Sequence, residues 1–327
     1  MLSFLKMMLT PEFFFSILRI SAPILFATLG AIVVEKAGFC NIGLEGIMMF
    51  AALTGSLVSY YAGSWFWGLL AALAMGTLMG LMMGFFAFQL KTDITLVGIA
   101  VNMMGSGGTL FLCKVITNLT EGKAMASSTG LITSTLCIPN ITIPLLNKIP
   151  FLGGVLSGHS LLTYLAFIIC GLTSVMLYKT SLGMNIRAVG ENPNTADAAG
   201  INVTKYKYVA TCAGSMIAGL GGLYYVMDYA CGVWSNNGFG DRGWLAIALV
   251  IFTVWRPNIG VFASFLFGGL YILHMFIPSG MNLAVKELYK MLPYVITILV
   301  LVIVSMQKKR ENDPPASLGL SYFREER

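Results

Sequence analysis

Few side chains in this 327-residue sequence are equipped for covalent or proton chemistry, and those few are poorly placed for it. Nucleophilic catalysis needs a hydroxyl or thiol with an activating base beside it. The run Gly158-His159-Ser160 sets a histidine next to a serine, but it lacks the GxSxG elbow that would present the hydroxyl. The second histidine, His274, stands in an apolar run without a neighbouring acid and reads as a packing residue. An intramembrane enzyme is therefore disfavoured. Six cysteines form no CxxC pair and have no histidine at ligand spacing, so they read as small core hydrophobes. No GxxxxGK[ST] loop occurs, which excludes ATP binding of the P-loop kind by this chain. Ion-driven transport favours carboxylates deep inside spans. Glu45 lies near one end of an apolar run and Asp228 near another, so a stand-alone secondary transporter would have to use Glu45 or Asp241.

The densest polar stretch is 179–207, KTSLGMNIRAVGENPNTADAAGINVTKYK, set between two long apolar runs. An island of Arg, Glu, Asn, Pro and Asp in such surroundings belongs in water and is too short to be a domain. Within it Asn192 is a good N-cap and Pro193 suits a first helical turn. A short helix over 194–199 follows, and Gly200 ends it as a C-terminal glycine. A capped helix of that size can sit in a groove of another protein, with Arg187, Glu191 and Asp197 as rim charges. The alternative is a solvated loop that touches nothing.

The elements that must position these residues follow from composition. Hydrophobic residues make up 57% of the chain and charged residues 10%, with mean hydropathy +0.81. Soluble domains carry about 25% charged residues, so this is an all-α polytopic membrane protein. A helical span needs about 20 apolar residues. Nine can be placed, at 13–34, 42–61, 65–89, 94–113, 160–178, 206–227, 243–255, 259–277 and 293–306. The run at 243–255 is short and begins beside Arg242, as a tilted or broken span would. Together they form one transmembrane domain over 1–306, with a tail at 307–327 expected to be solvent-exposed after Pro314 and Pro315. The first run is long enough to span and has no small-residue cleavage site before it, so no cleavable signal is expected. The net charge of +6 fits a bias of Lys and Arg toward the cytoplasmic side rather than nucleic-acid binding. With 179–207 and the tail inside, twelve basic residues fall inside against seven outside, Arg242 among the latter.

Shifting the chain by 200 residues aligns Val33 with Val233, Gly38 with Gly238, Phe39 with Phe239, Gly43 with Gly243 and Ile47 with Ile247. Five spans separate the copies, so they would run oppositely through the membrane. Inverted repeats of that kind build solute pathways near the midplane. The matched segments interrupt apolar runs with Gly, Asn, Glu, Asp and Arg. Such backbone survives at membrane depth only when it is enclosed by protein or lines a cavity; an interfacial turn is the other reading for Asn41 and Glu45. Asp241 and Arg242 read as a local pair closing a loop. Gly76, Gly80 and Gly84 repeat on one face of the third run, as do Gly214, Ala218 and Gly222 on the sixth. Small residues at that spacing allow close helix approach within the chain, or a dimer. The segment 114–158 reads as an extracytoplasmic loop able to meet a partner, or as a connector.

Three motifs carry a resemblance to a known family. EKAGFCNIGLEGIM at 35–48 is similar to the E-x-x-G-x-x-N-I-G-x-E-G-x-M signature of the nucleoside and simple-sugar branch of ABC importer permeases. That branch belongs to the branched-chain amino acid, ribose and nucleoside group. GMNIRAVGENPNTADAAGINV at 183–203 resembles its cytoplasmic coupling segment, and PASLGLSYFREER at 315–327 resembles a tail of the nucleoside branch. The resemblance covers nearly the whole chain. It implies the type II importer permease fold and the smaller of two dissimilar permeases, in the inner membrane of a bacterium. The usual first helix of larger relatives is missing, which would leave the N-terminus outside.

The expected partners are a second permease, a two-module cytoplasmic ATPase and an external substrate-binding lipoprotein. ATP and magnesium would be held by that ATPase, and no cofactor by this chain. The resemblance assigns ATPase coupling to Arg187, Gly190, Glu191, Asn192, Pro193, Asn194, Asp197, Ala199 and Gly200. Polarity and position suggest Asn41, Glu45, Asn102, Asn236 and Asn237 for the solute path. A nucleoside is the leading solute, with ribose-like sugars as the alternative.

Overall fold

The structure, a computed structural model, describes residues 10–119, 137–144, 150–230, 232, 234, 239, 242–273, 283–306, 313–320 and 322. Its axle is α1 (Pro11–Glu35), opened by Pro11 at its first turn and buried almost without interruption from Ile17 onward. Its few hydroxyls are satisfied within the helix. Ser21 donates to the Ile17 carbonyl at 2.7 Å and Thr28 to that of Ile24 at 2.8 Å.

Next come α2 (Leu44–Ala62), α3 (Trp65–Gly84), α4 (Ile94–Met103) and α5 (Thr109–Leu119). A two-residue antiparallel pairing, β1 (Asn140–Ile141) with β2 (His159–Ser160), brackets the short helix α6 (Pro150–Leu156). Then follow α7 (Leu161–Lys179), α8 (Ser181–Glu191), α9 (Pro193–Ala198) and α10 (Val203–Tyr224). The last helices are α11 (Arg242–Phe252), α12 (Pro257–Leu273) and α13 (Leu283–Met306). Single π-helical segments extend α3 over Phe85–Gln89, join α4 to α5 over Met104–Gly108, and extend α10 over Tyr225–Tyr229. Such bulges re-aim the side chains that follow them.

The described residues of the apolar runs are largely helical, but 253–255 form a turn, and 274–277 lie outside the described residues. Five helical stretches are long and apolar enough to cross a membrane: Pro11–Glu35, Trp65–Gln89, Ile94–Ile116, Leu161–Lys179 and Val203–Tyr229. The 11-residue α11 is only about 16 Å long at 1.5 Å per residue, about half the thickness of a bilayer core, and too short to cross it as it stands. The last helix begins earlier than 293 and runs through Pro293, whose carbonyl accepts from the Thr297 hydroxyl at 2.8 Å.

Around the axle, α1 packs against α10, α12, α11 and α7, while α3 lies across both α2 and α10. Small residues decide how close these helices come. A Cβ on Gly76 of α3 would stand 2.7 Å from the Ser215 carbonyl oxygen of α10, and one on Gly80 would stand 2.9 Å from that of Thr211. On the other side of α10, Gly214 meets Gly30 of α1 and Gly222 meets the Met48 backbone of α2. Both glycine stripes in the sequence are thus spent on packing inside the chain, not on a dimer face. Without water to exclude, such contacts hold helices together by dispersion and by close backbone approach.

We expect Gly76→Val to force α3 off α10 and to cost about 1–3 kcal/mol, as overpacking does. A lower unfolding temperature of the purified chain would register it, and an unchanged one would mean the two helices are not held at this distance.

Candidate functional site

The polar island folds into two helices rather than a loop. Thr180 caps α8, its hydroxyl accepting from the Gly183 amide at 3.2 Å. The apolar face of α8 (Gly183, Ile186, Val189 and Gly190) turns inward, and Leu182 and Met184 face out, 49% and 58% exposed. Asn192 then caps α9 by accepting from the Thr195 amide at 3.1 Å, with Pro193 at the first position. Gly200 follows with φ +83, and its amide reaches the Asp197 carbonyl. The short helix expected from the sequence is therefore present, shifted by one residue. Asn194, Thr195 and Ala199 lie exposed on it, while Ala196 is buried against Val189 and Val203.

Two corrections apply to the ends of this island. Helix α10 already starts at Val203, capped by Asn202 accepting from the Lys205 amide at 3.0 Å. Lys207, read as water-facing, is buried inside it, with its ammonium 6.0 Å from the centre of the Phe88 ring. A long aliphatic stem that packs on an aromatic ring lets a lysine sit where the sequence alone suggests solvent.

The whole elbow rests on the turn that follows α1. Gly190 is buried against the Lys36 carbonyl and lies next to Gly38, whose φ is +80. Beside it a cleft of about 450 Å3 is lined by Lys36, Tyr178, Arg187, Glu191 and Arg256. The Arg187 guanidinium lies over the Tyr178 ring at 5.1 Å. Burial holds Lys36 below the ordinary lysine range, while Glu191 acts the other way.

The C-terminal segment overturns an expectation. The tail was expected to stand free in solvent, yet Pro315 and Ser317 are buried against this same elbow. The Ser317 hydroxyl donates to the Gly190 carbonyl at 2.6 Å, and the Tyr322 hydroxyl donates to Asp197 Oδ2 at 3.0 Å. Proline disfavours a helix at 314–315, but a non-helical segment can still pair its backbone with a neighbour.

Deeper in the bundle, the motif after α1 closes a polar node. Asn41 is fully buried, and its side-chain oxygen accepts from the Gly43 amide at 3.1 Å. Asn102 clamps the start of α2, accepting from the Gly46 amide and donating to the Ile42 carbonyl, each at 2.8 Å. Glu45 accepts from the Gly243 amide, so the first turns of α2 and α11 meet head to head. A carboxylate there faces the partly positive ends of both helices. At the far end of α11, the Trp255 indole donates to Glu35 Oε2 at 2.6 Å. Arg242 is buried. It donates to the Phe239 carbonyl at 2.6 Å and stacks over Tyr225 and Tyr271 at 4.3 and 4.8 Å. Asp241, its supposed partner, lies outside the described residues, as do Asn236, Asn237 and His274.

A second node lies at the opposite end of α1. Arg19 donates to the Asp228 carbonyl at 2.6 Å and pairs with its carboxylate at 3.5 Å, and the Ser160 hydroxyl donates to the other oxygen at 2.7 Å. His159 stacks on Phe15 at 4.1 Å, and its ring N–H donates to the Val155 carbonyl at 2.8 Å. Burial pushes its pKa below the ordinary range. Its Nε2 is thus committed to a carbonyl, and Ser160 to a carboxylate, so the GHS run performs a structural task. Among the described residues no three His, Cys, Asp or Glu side chains could share a metal, and the described cysteines are free thiols.

The structure therefore gathers Asn41, Glu45 and Asn102 in one node, and Arg187 through Gly200 in one elbow. Sequence reasoning gave no role to Trp255, Ser317 or Tyr322, and read Arg242 only as a partner of Asp241. The only signal for them was a tryptophan or arginine beside a short apolar run, and a tail segment of small and aromatic residues.

Five helical stretches long and apolar enough to cross a membrane, packed around a buried axle and carrying a capped two-helix elbow, fit a multi-pass membrane protein. The profile of the branched-chain amino acid transport system / permease component family matches residues 13–301, and the chain belongs to that family. It is similar to the guanosine ABC transporter permease protein NupQ of Bacillus subtilis, 33% identical over 298 residues that cover 86% of this chain and 88% of that protein. It is also similar to the putative glucose ABC transporter permease protein TsgC13 of Haloferax volcanii, 30% identical and covering 77% and 73%. The nucleoside ABC transporter permease protein NupC of Lactococcus lactis is 29% identical, covering 86% and 88%. No solved structure gives a significant match to the chain. The chain is accordingly a multi-pass protein of the bacterial plasma membrane, a transport subunit without an ATPase site of its own.

Replacing Asn102 with Leu would strand the Gly46 amide and the Ile42 carbonyl. A buried polar group left unsatisfied costs about 1–3 kcal/mol. Hydrogen exchange at the Gly46 amide should accelerate; unchanged protection there would mean that another group holds the start of α2.

Proposed function

We propose that this chain is the membrane permease subunit of an ATP-driven importer for nucleosides. It supplies half of the solute pathway and takes its force from a separate cytoplasmic ATPase. The observation that carries the coupling is the elbow α8–α9. It is rigidly capped at each turn, seated by buried glycine on the end of α1, and exposed along Leu182, Met184, Asn194 and Thr195. ATP-driven movement of a partner docked there tilts α1, and with it the bundle packed around α1.

The solute assignment rests on two relatives named for guanosine and nucleoside transport, both matched over most of their length. A sugar is the second reading, favoured by the relative named as a putative glucose permease. Excess unlabelled nucleoside or ribose, competed against labelled nucleoside uptake, separates the two.

Further parts of the reading concern architecture. The pathway runs where the first turns of α2 and α11 meet at Glu45 and Gly243. This is the place where two oppositely directed copies of one ancestral unit would come together in a nine-helix arrangement. Asn41 and Asn102 stiffen its wall, and Asn236 and Asn237 follow in the connecting segment. A second permease completes the path, and an external binding protein delivers the solute. Large apolar side chains on α3, α4 and α5, such as Trp67, Leu96, Met103 and Phe111, are exposed and available to lipid or to that second permease.

Deleting 192–200, or making Arg187→Glu, should leave the chain inserted and stable while ATP hydrolysis by the assembled importer no longer drives uptake. Wild-type uptake by a stably inserted deletion variant would refute the coupling role. Uptake by the chain alone in liposomes, against a gradient and without an ATPase, would refute the whole reading.

A further inference from the structure

We infer that C-terminal residues 315–320 and 322 form a clasp that locks the coupling elbow to the α1–α2 turn, so that both move as one body. The inference rests on the reading of α8–α9 as the coupling element. Three separate elements are held by this one segment. At the end of α8, the Gly190 carbonyl accepts both the Ser317 amide at 3.0 Å and the Ser317 hydroxyl at 2.6 Å. In the α1–α2 turn, the Gly38 carbonyl accepts the Gly319 amide at 3.2 Å. On α9, Asp197 accepts the Tyr322 hydroxyl at 3.0 Å. Leu318 adds an apolar anchor, packing against the main core cluster.

The segment is shaped for this seat. Its amides close two turns on themselves, Leu318 to Pro315 at 2.9 Å and Leu320 to Ser317 at 3.1 Å. Gly319 takes φ +77 with open space around it, so glycine is needed there for backbone angle and not for room. The receiving surface is shaped as well. A Cβ on Gly38 would stand 2.5 Å from the Ser317 hydroxyl oxygen and 3.3 Å from the Gly190 Cα, at a backbone angle that disfavours any side chain. Three backbones therefore meet at one point where no side chain fits.

The position gives the clasp its consequence. The turn it grips continues within a few residues into Asn41 and Glu45, the node where α2 meets α11. Displacement of the elbow then reaches that node through hydrogen-bonded backbone, instead of being absorbed by a flexible joint. Ser317 and Tyr322 are positioning residues; neither is required to touch the solute.

The test uses the complete importer, with the second permease, the ATPase and the binding protein, reconstituted in proteoliposomes. Truncation after Asp313 should leave the ATPase co-purifying and basal ATP hydrolysis intact. Uptake should fall about tenfold, a ratio typical of lost coupling between sites, and stimulation of hydrolysis by loaded binding protein should disappear. Full uptake by the truncated chain overturns the clasp, and so does loss of the ATPase from the complex, which would make the tail a docking element. Tyr322→Phe and Ser317→Ala, which keep the chain length, should lower uptake in the same direction without lowering expression, and cover the case in which truncation prevents folding. Failure of the parent reading shows separately, as normal uptake in the 192–200 deletion with the tail intact.

Discussion

A backbone that leaves the helix inside an apolar bundle must find every hydrogen-bond partner within the protein. The stretch between α1 and α2 meets that demand with a few side chains. Asn102 satisfies one amide and one carbonyl at once, Asn41 turns back on its own loop, and Glu45 reaches the first turn of α11. The irregular turn is thereby tied to the end of α4 at Asn102 and to the first turn of α11 at Gly243, and acts as the keystone that fixes where α2 begins. The π-helical segment at Met104–Gly108 lies against this region, with Gly105 set directly on Gly46. The close fit and the polar clamp therefore depend on each other.

Around that keystone the chain uses glycine and serine where a soluble core would use branched aliphatics. The faces of α10 show why. One side meets α3 through Ser215 and Thr211 opposite Gly76 and Gly80, and the other meets α1 and α2 through Gly214 and Gly222. A helix so closely held on two sides transmits displacement rather than absorbing it. Its C-terminal π-helical segment carries Asp228, which ties it to Arg19 and Ser160. The bundle is thereby pinned by ionic and hydroxyl contacts at one end and by the elbow and tail at the other, with α1 running between them.

Much of this was legible before any coordinates. Most of the apolar runs are helical where they are described, the elbow's caps at Asn192 and Pro193 are where local chemistry puts them, and His159 and Ser160 are each bound to a different structural partner. Each of these depends on interactions between residues a few positions apart. What failed were judgements about which polar residues face water. Lys207 and the tail were assigned to solvent by their composition, yet Lys207 is buried beside Phe88, and Pro315 and Ser317 are buried where Ser317 meets Gly190; Arg242, read as the partner of Asp241, stacks instead over tyrosines 225 and 271.

By itself, then, the sequence determined that the chain lives in a membrane, where its helices run, how the short elbow begins and ends, and to which family it belongs. These follow from hydropathy, from capping within one turn, and from motifs that remain recognisable over most of the chain. Only the tertiary structure decided that the two glycine stripes are buried inside one subunit, that Glu45 meets the head of α11, and that Ser317 and Tyr322 reach back to the α8–α9 elbow. Those facts rest on helix ends and carbonyl groups brought together across more than a hundred residues. No local pattern encodes such a meeting, because a free backbone carbonyl looks the same in every residue until another segment arrives to use it.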